Sequence, residues 1–566
     1  MDGPIRKSRA GRRRAVVLGL VHVLILAHVV HWMVTGSTLT PVEPSEAMET
    51  LELGRINAGF VFFALAILST ALLGRFVCGW GCHLVALQDL CGWLMRRVGI
   101  RPRPLRSRLL VWIPLGIAVY MFAWPTLKRL ALPVLEARLP ALAQLLHPPA
   151  PFPGLSLALT TESFWETFPS VWVAIPFLAV CGFAAVYFLG AKGFCTYGCP
   201  YGAVFGAADR VAPGRIRVTD ACNQCGHCTA VCTSNVRVHE EVRNHGMVTD
   251  PGCMKCQDCV SVCPNDALYF GFGPPPRKTK GARVTRHWDF NLAGELTAVA
   301  AFVAVLVAHR GVYDTVPLLM AVGLAACTVG AGWIAWRVIR DSDVDHHGLT
   351  LKRAGRIRWP GTAALAVAAL FAAGAGQSAA VRWERSRAEA WDRQVTRSTA
   401  DALAFDRAPV PAAQLEAARR AAVHYSRADA IPAGGLGLLV TPEVVARRAW
   451  MAVVRERFDE AAGLLQRLDR PGAAVRSRVE LARVLALAGR PEEALAALHR
   501  TIAESPVEPA PHRELAVQLE RAGRPEEAAA ELVILVNLAP GDVAARARLA
   551  DLLDELGRQK EAARYR

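Results

Sequence analysis

The stretch CNQCGHCTAVC at residues 222–232 decides what this chain folds around, and CMKCQDCVSVCP at residues 253–264 repeats it. Both follow the pattern C-x2-C-x2-C-x3-C, in which three cysteines on a tight loop are followed by a fourth. Loops of this kind supply thiolates to [4Fe–4S] clusters, and the fourth cysteine of each run reaches the other cluster. The two runs therefore predict one small module that holds two clusters.

The eight cysteines divide into two predicted ligand sets. One set is Cys222, Cys225, Cys228 and Cys263, and the other is Cys253, Cys256, Cys259 and Cys232. Pro264 follows the second run, as the pattern expects, whereas Thr233 takes that place after the first run and removes no ligand. Paired C-x2-C motifs also suit zinc, but eight cysteines in two such runs favour iron–sulfur clusters.

Over about 50 residues the two runs resemble bacterial two-cluster ferredoxins. The resemblance implies electron transfer, because such clusters pass single electrons rather than make bonds. The sequence contains no phosphate-binding loop and no dinucleotide fingerprint after a strand, so it gives no support for bound NAD or flavin. No catalytic residue is predicted.

The remainder of the chain is too apolar for an ordinary soluble protein, since 53% of its 566 residues are hydrophobic. A membrane helix needs about 20 mostly apolar residues. The segments predicted to span a membrane are roughly 15–34, 57–74, 109–125, 171–190, 292–309, 315–337 and 361–380. The sequence therefore predicts a polytopic membrane protein with seven spans, the last of them rich in alanine and glycine.

Basic residues predict the orientation of these spans. Segment 75–108 carries seven arginines, whereas segment 35–56 carries one arginine and four glutamates. Because basic loops stay in the cytoplasm, we expect the N-terminus and residues 191–291 inside and the tail after the seventh span in the periplasm of a bacterial inner membrane. Membrane orientation accounts for the net charge of +16, so no nucleic-acid partner is predicted.

The C-terminal tail carries an internal repeat. AGRPEEA at 488–494 recurs at 522–528 and, as LGRQKEA, at 556–562, with a period of 34 residues. A 34-residue period with glycine at the turn resembles the tetratricopeptide repeat, an α-solenoid that binds protein partners. The alternative is a generic helical spacer.

The motif GRFVCGWGCH at 74–83 has a partner in FCTYGCPYGA at 194–203. An offset of 117 residues pairs Cys78 with Cys195 and Cys82 with Cys199. Positions i and i+4 share one face of a helix, so the two motifs can bring four thiols together. Three interpretations remain open: a redox-active or metal-binding site, a docking element for the ferredoxin module, and incidental packing.

With this duplication residues 1–290 resemble the polyferredoxin membrane proteins of the NapH, MauN and NosR type. The resemblance implies electron transfer from the quinol pool towards a partner reductase or dehydrogenase, which would make the chain a component of a quinol dehydrogenase. His83 departs from the family, which often has proline there. The alternative is a maturation factor whose clusters reduce a metal or thiol on a client held by the repeat tail.

A quinone site needs a polar group close to the bilayer, and ionisable residues inside spans are candidates for function. His28 and His31 share one face of the first predicted span and form such a candidate. The other interpretation is that they are interfacial polar residues.

Together these patterns predict a mainly α fold: a polytopic helical membrane protein with an inserted α+β ferredoxin module and a C-terminal α-solenoid. The expected domains share the chain in sequence order. They are a four-span membrane domain at 1–210, the two-cluster module at 211–275, three further spans at 276–385, and the repeat tail at 386–566, clearest from about 475.

Overall fold

The structure is a computed structural model that describes residues 5–139, 151–164, 170–274, 288–470 and 473–566. The described residues are mainly helical, which confirms the predicted fold class. The chain divides into two compact units. The first comprises residues 1–310 and 316–374, and the second comprises residues 311–315 and 375–566.

Six helices among the described residues are long and apolar enough to cross a membrane. They are Arg9–Thr35, Leu110–Arg138, Val171–Leu189, Leu292–His309, Leu318–Arg340 and Trp359–Asp392. The segment expected at 57–74 forms a shorter apolar helix, Ala58–Leu73, of 16 residues. At 1.5 Å per residue its length is about 24 Å, somewhat less than the hydrocarbon thickness of a typical bilayer.

Two of the long helices each contain one π-helical turn, which is wider than an α-helical turn. The turns are Val119–Ala123 in the third apolar segment and Ala179–Ala184 in the fourth. Short helices follow the apolar segments that carry the paired cysteine motifs. They are Phe76–Trp80 and His83–Arg97 after the first motif-bearing segment, and Gly193–Tyr197 and Pro200–Asp209 after the second.

Short strands join several connecting segments of the first unit. Thr38–Leu39 pairs with Thr160–Thr161, and Arg55–Ile56 pairs with Ser156–Leu157. A three-stranded sheet follows the helix Leu318–Arg340, and it consists of Val344–His346, Leu349–Arg353 and Arg356–Ile357. All of its pairings are antiparallel.

The ferredoxin module is built from two copies of one loop–helix unit. Strands Arg215–Val218 and Leu268–Gly271 pair antiparallel and bring the two ends of the module together. Helices His227–Ala230 and Asp258–Ser261 begin 31 residues apart and each carry the third cysteine of a run. Helix Val238–His245 packs beside them, and its Val242 belongs to the apolar core of the module.

The second unit consists of helices that pack in sequence order. They are Thr399–Ala402, Ala412–Ala428, Pro442–Val454, Phe458–Gln466, Val475–Leu487, Pro491–Glu504, Pro509–Arg521, Pro525–Leu538, Val543–Glu555 and Gln559–Ala562. The turns within the last three helix pairs contain Gly489, Gly523 and Gly557 with φ of 75°, 70° and 76°, a conformation that favours glycine. The 34-residue period therefore corresponds to helix pairs, as tetratricopeptide repeats require.

Candidate iron–sulfur centres

The structure brings the eight cysteines of the two runs together in two small cavities. The first cavity is lined by Cys222, Cys225, Cys228 and Cys263. The second is lined by Cys232, Cys253, Cys256 and Cys259. The fourth cysteine of each run thus lies in the cavity formed by the other run. Both sets leave room between their side chains, about 20 Å³ in the first cavity and about 10 Å³ in the second.

The backbone of each loop turns so that its three cysteines face one cavity. Gln224 and Lys255 occupy equivalent positions in the two loops and both have positive φ, 60° and 51°. Two positions further on, Gly226 and Gln257 are also left-handed, with φ of 78° and 61°. Matching strain at equivalent positions indicates that the surrounding fold fixes both loops in the same conformation.

Burial controls the protonation of these sulfurs. It raises the pKa of the Cys228 thiol to about 11 and that of Cys232 to about 12. In the protein without metal these thiols therefore carry protons at neutral pH, and binding a metal must release them. Soft sulfur donors, four to a cavity, fit iron–sulfur chemistry.

The loop of the second cavity packs directly against the first cysteine motif of the membrane domain. The indole Nε1 of Trp80 donates to the carbonyl of Lys255 at 3.0 Å, and Nη1 of Arg75 donates to the carbonyl of Pro251 at 2.9 Å. A Cβ atom on Gly79 would lie only 2.2 Å from the carbonyl oxygen of Met254. This motif is therefore the surface that receives the ferredoxin module.

Buried ion pairs fix the same contact. Nζ of Lys255 lies 2.9 Å from a carboxylate oxygen of Asp209, and both side chains are fully buried. Arg14 pairs with Asp258 at 2.7 Å and with Asp89 at 3.0 Å. A buried charge is tolerated only when it is paired, so these contacts prescribe one position for the module.

The four cysteines of the paired motifs lie close enough to interact, but the helical geometry predicted for each pair is wrong. Each pair was expected on one helix face, but the helix ends between the two cysteines, at Gly81 and at Gly198. The second cysteine of each pair instead precedes the next helix. Their side chains nevertheless interact electrostatically with one another: Cys78, Cys82, Cys195 and Cys199.

Burial raises the pKa of three of these four thiols, Cys82, Cys195 and Cys199. Burial, with the neighbouring Cys195 and Cys78, raises the pKa of Cys82 to about 12, and burial also raises the pKa of Cys199. Gln88 donates from Nε2 to the sulfur of Cys195 at 3.3 Å. A thiol that stays protonated at neutral pH is a poor nucleophile, which counts against thiol exchange at Cys82, Cys195 and Cys199.

The two candidate quinone-site histidines lie towards the opposite end of the first helix from its contact with the ferredoxin module. Nε2 of His28 lies 3.1 Å from the carbonyl oxygen of Leu39, and Nδ1 of His31 lies 3.1 Å from the hydroxyl of Thr38. Both follow Arg14 on one helix, and at 1.5 Å per residue His31 is about 26 Å further along it. The structure does not bring them near the ferredoxin module.

Sequence reasoning missed the polar side chains that hold the module. Asp89 accepts from Arg14 and from Lys192, and Asp209 accepts from the backbone N–H of Arg75 as well as from Lys255. The one signal available was that Arg75 and Lys192 occupy equivalent positions in the two motif copies, 117 residues apart.

Two family descriptions match parts of the chain. "4Fe-4S dicluster domain" matches residues 221–268, and "4Fe-4S binding domain" matches residues 58–101 and 172–219. The first covers both cysteine runs, and the second covers the two membrane segments that end in the paired motifs.

Bacterial relatives extend this likeness to the membrane part. Ferredoxin-type protein NapH of Haemophilus influenzae is 26% identical over 220 residues, which are 37% of this chain and 66% of that protein. The chain is thus similar to a ferredoxin-type protein. NapH of Escherichia coli is 27% identical over 245 residues, 41% of this chain and 75% of that protein. The chain thus spans about two thirds to three quarters of these NapH proteins.

A solved structure of MamA resembles part of the chain at a TM-score of 0.24 and 18% identity, covering 33% of this chain and 87% of MamA. The repeat assignment rests on the 34-residue period and the helix pairs. Together with the cysteine module and the apolar helices, the NapH similarity makes the chain a multi-pass iron–sulfur electron-transfer protein of the inner membrane.

Proposed function

We propose that this protein accepts electrons from the quinol pool and passes them through two [4Fe–4S] clusters to a partner reductase or dehydrogenase. The observation that carries the proposal is the pair of four-cysteine cavities, one of which packs against the membrane domain. When bound, the clusters supply one-electron acceptors of adjustable potential. The protein supplies the ligands, their positions and their exclusion from water.

The two four-cysteine cavities differ in their surroundings, because one faces solvent and the other faces the membrane domain. The loop of the first cavity exposes Asn223 and Gln224 to solvent, where a soluble partner can approach. The loop of the second cavity is covered by Arg75 and Trp80 of the membrane domain. This asymmetry supports an electron route that begins at the membrane, at the second cavity, and ends at the exposed first cavity.

Contacts within the first unit support a cytoplasmic ferredoxin module. Ser8 and Arg14 near the N-terminus both bond to Asp258, and Arg75 bonds to the same module. The basic N-terminus and the arginine-rich segment 75–108 therefore lie on the side of the module, which is the cytoplasmic side by the positive-inside rule. With the shorter helix Ala58–Leu73 counted as a seventh span beside the six long ones, the repeat tail would lie in the periplasm.

In this proposal the four thiols of the paired motifs lie where the membrane domain contacts the ferredoxin module. Their loops hold the module, and their number would also suit a metal. Iron analysis of the purified chain separates the two roles: about eight irons per chain supports docking alone, whereas about twelve supports a third cluster.

Reduction of the clusters by a quinol tests the proposed function. Purified protein reduced with dithionite should give the EPR signals of reduced [4Fe–4S] clusters, and ubiquinol or menaquinol analogues should produce the same signals. A Cys256→Ala variant is the matched control, because it should lose one signal and keep that of the first cavity. Clusters that dithionite reduces but neither quinol reduces would contradict a quinol donor.

A specific feature favours a protein partner for the tail. Its helix pairs repeat the ion pairs Arg490–Glu493, Arg524–Glu527 and Arg558–Glu561, so the repeats keep one geometry. Regular repeats of this type present an extended binding surface. If quinols fail to reduce the clusters while the tail binds an identified metalloenzyme precursor, the maturation function replaces electron delivery.

A further inference from the structure

A large cavity lies between the ferredoxin module and the membrane helices, with a volume of about 780 Å³. One end is lined by Val111, Trp112 and Leu115, which are exposed apolar side chains at the start of the long helix Leu110–Arg138. Arg108 lines the cavity just before this helix. Tryptophan beside arginine at the end of an apolar helix is typical of a membrane–water interface, so a lipid-soluble molecule can reach this end.

The other end of the cavity lies beside the redox candidates. Ser234 and Met254 line both this cavity and the second cysteine cavity, so a single layer of side chains separates the two. Arg75 from the region of the first motif copy and Cys195 from the second copy line the same end. A ligand seated there is close to both groups of cysteines.

Five arginines line the cavity: Arg75, Arg106, Arg108, Arg210 and Arg237. Three of its arginines are already engaged: Arg75 with the carbonyl of Pro251, Arg237 with Glu240 at 2.8 Å, and Arg108 over the ring of Trp288. A phosphate would compete with these contacts for its charge partners.

The inner end nevertheless offers polar groups to a ligand. Thr196, Ser234 and Asn235 line the cavity, and the hydroxyl oxygen of Ser234 is itself covered by protein. Glu241 also lines the cavity, with one carboxylate oxygen accepting from Thr249. A mostly apolar cavity of this size with a few convergent polar groups is the usual form of a small-molecule site.

We propose that this cavity binds the ring of a membrane hydroquinone, with its prenyl tail leaving past Trp112 and Leu115. The proposal rests on the proposed function and gives the quinol a position there. It differs from the site at His28 and His31, which lies along the first helix away from the module.

Oxidation of a hydroquinone in this cavity requires acceptors for two electrons and two protons. Oxidation of the hydroquinone to the quinone breaks two O–H bonds and releases two electrons and two protons. The two clusters, when bound, take one electron each. The two protons leave to water at the exposed rim of the cavity, where Arg210 lies.

A substitution that fills the cavity with a side chain tests the proposal. A Cβ atom on Gly206, which lines the cavity from the helix Pro200–Asp209, meets no atom within 4 Å, so Gly206→Phe can occupy the space without a clash. Replacing a glycine inside a helix also improves helix propensity, so the variant should fold. The matched control is Gly332→Phe, whose position is equally open but lies on another helix outside the cavity.

The readout is labelling of the full-length protein by an azido-substituted ubiquinone with a short prenyl tail, mapped by mass spectrometry. We expect labelled peptides from segments 105–115 or 234–254, labelling reduced about tenfold in Gly206→Phe, which is about 1.4 kcal/mol of binding, and unchanged in Gly332→Phe. Dithionite should reduce the clusters equally in all three proteins.

The outcomes separate the site from the proposed function. Labelling in the cavity without cluster reduction by quinol retains the site and overturns the electron donor. Reduction by quinol that persists in Gly206→Phe, or labelling near His28 and His31, overturns the site and retains the function. Displacement of the label by anionic phospholipid but not by a natural quinone would make the cavity a lipid site and overturn the proposal.

Discussion

The absence of a side chain at one glycine allows the ferredoxin module to pack against the motif GRFVCGWGCH. Two glycines of this motif look alike in the sequence, but they differ in their surroundings. A Cβ on Gly79 would lie 2.2 Å from the carbonyl oxygen of Met254, whereas the nearest atom to a Cβ on Gly81 is 3.3 Å away. The first contact is with the backbone of a cluster loop, which cannot move without displacing its cysteines.

We therefore expect Gly79→Ala to separate the loop of the second cavity from the membrane domain. Overpacking of this kind costs about 1–3 kcal/mol, and the thermal unfolding midpoint should fall with it. The EPR signal of the cluster held by the second cavity should broaden or disappear. Gly81→Ala is the control from the same motif and should stay close to wild type; equal loss in both variants would contradict the packing argument.

The buried pair of Lys255 and Asp209 gives a second prediction at this scale. Lys255→Met leaves the Asp209 carboxylate buried without its cation, which should destabilise the protein by about 3–5 kcal/mol. The double variant Lys255→Met with Asp209→Asn removes both charges and should recover most of that loss. The measurement is the midpoint of thermal loss of visible cluster absorbance, and no recovery in the double variant would refute the pairing.

Among the structural elements, the three-stranded sheet after Leu318–Arg340 carries an acid-sensitive contact. His346 and His347 are both buried, with ring centroids 3.6 Å apart. Nδ1 of His347 accepts from the backbone N–H of Arg103, and its Nε2 donates to the carbonyl of Tyr187. These two bonds therefore require His347 to be a neutral imidazole.

Acid should weaken this contact. Burial lowers the pKa of His346 to about 3 and that of His347 to about 4, from an ordinary value of 6.5. The unfolded chain thus binds more protons below pH 6.5, and stability is lost as the pH falls from there towards 4. Each histidine should contribute a loss of about 1.4 kcal/mol per pH unit.

Thermal unfolding at pH 7.5 and pH 5.5 measures the effect. The midpoint should fall on acidification, and His346→Phe combined with His347→Asn should remove much of the difference, because neither replacement takes up a proton. His499→Gln, a change in the tail, is the control and should keep the wild-type difference. A double variant with the full wild-type pH dependence would exclude these histidines as its source.

The sequence predicted the features that are set by neighbouring residues and missed those that are set by contacts between distant segments. The two four-cysteine cavities follow from spacing within the runs, because tight loops prescribe where their own cysteines face. The break at Gly81 could not be inferred from the i, i+4 spacing of Cys78 and Cys82, because the ferredoxin loop packed against Gly79 belongs to a distant segment. The ion pair of Arg14 with Asp258 joins positions 244 residues apart and has no local signal.

At the scale of the whole molecule, the number of spans depends on the short helix Ala58–Leu73. Among the described residues six helices are long enough to cross, which alone would return the tail to the side of the N-terminus. However, Ser8 before the first helix and Arg75 after Ala58–Leu73 both contact the ferredoxin module. A chain that leaves the module along the 27-residue helix Arg9–Thr35 must come back across the same distance to reach Arg75.

We therefore expect Ala58–Leu73 to cross the membrane and the seven-span topology to hold. Alkaline phosphatase, active only in the periplasm, and green fluorescent protein, fluorescent only in the cytoplasm, can be fused after residues 45, 98 and 566. Phosphatase activity should appear at 45 and 566, and fluorescence at 98. The same reporter active at both 45 and 98 would show that the short helix does not cross. Since all later spans alternate from this point, that result would also move the repeat tail to the cytoplasm, where its partner would have to be sought.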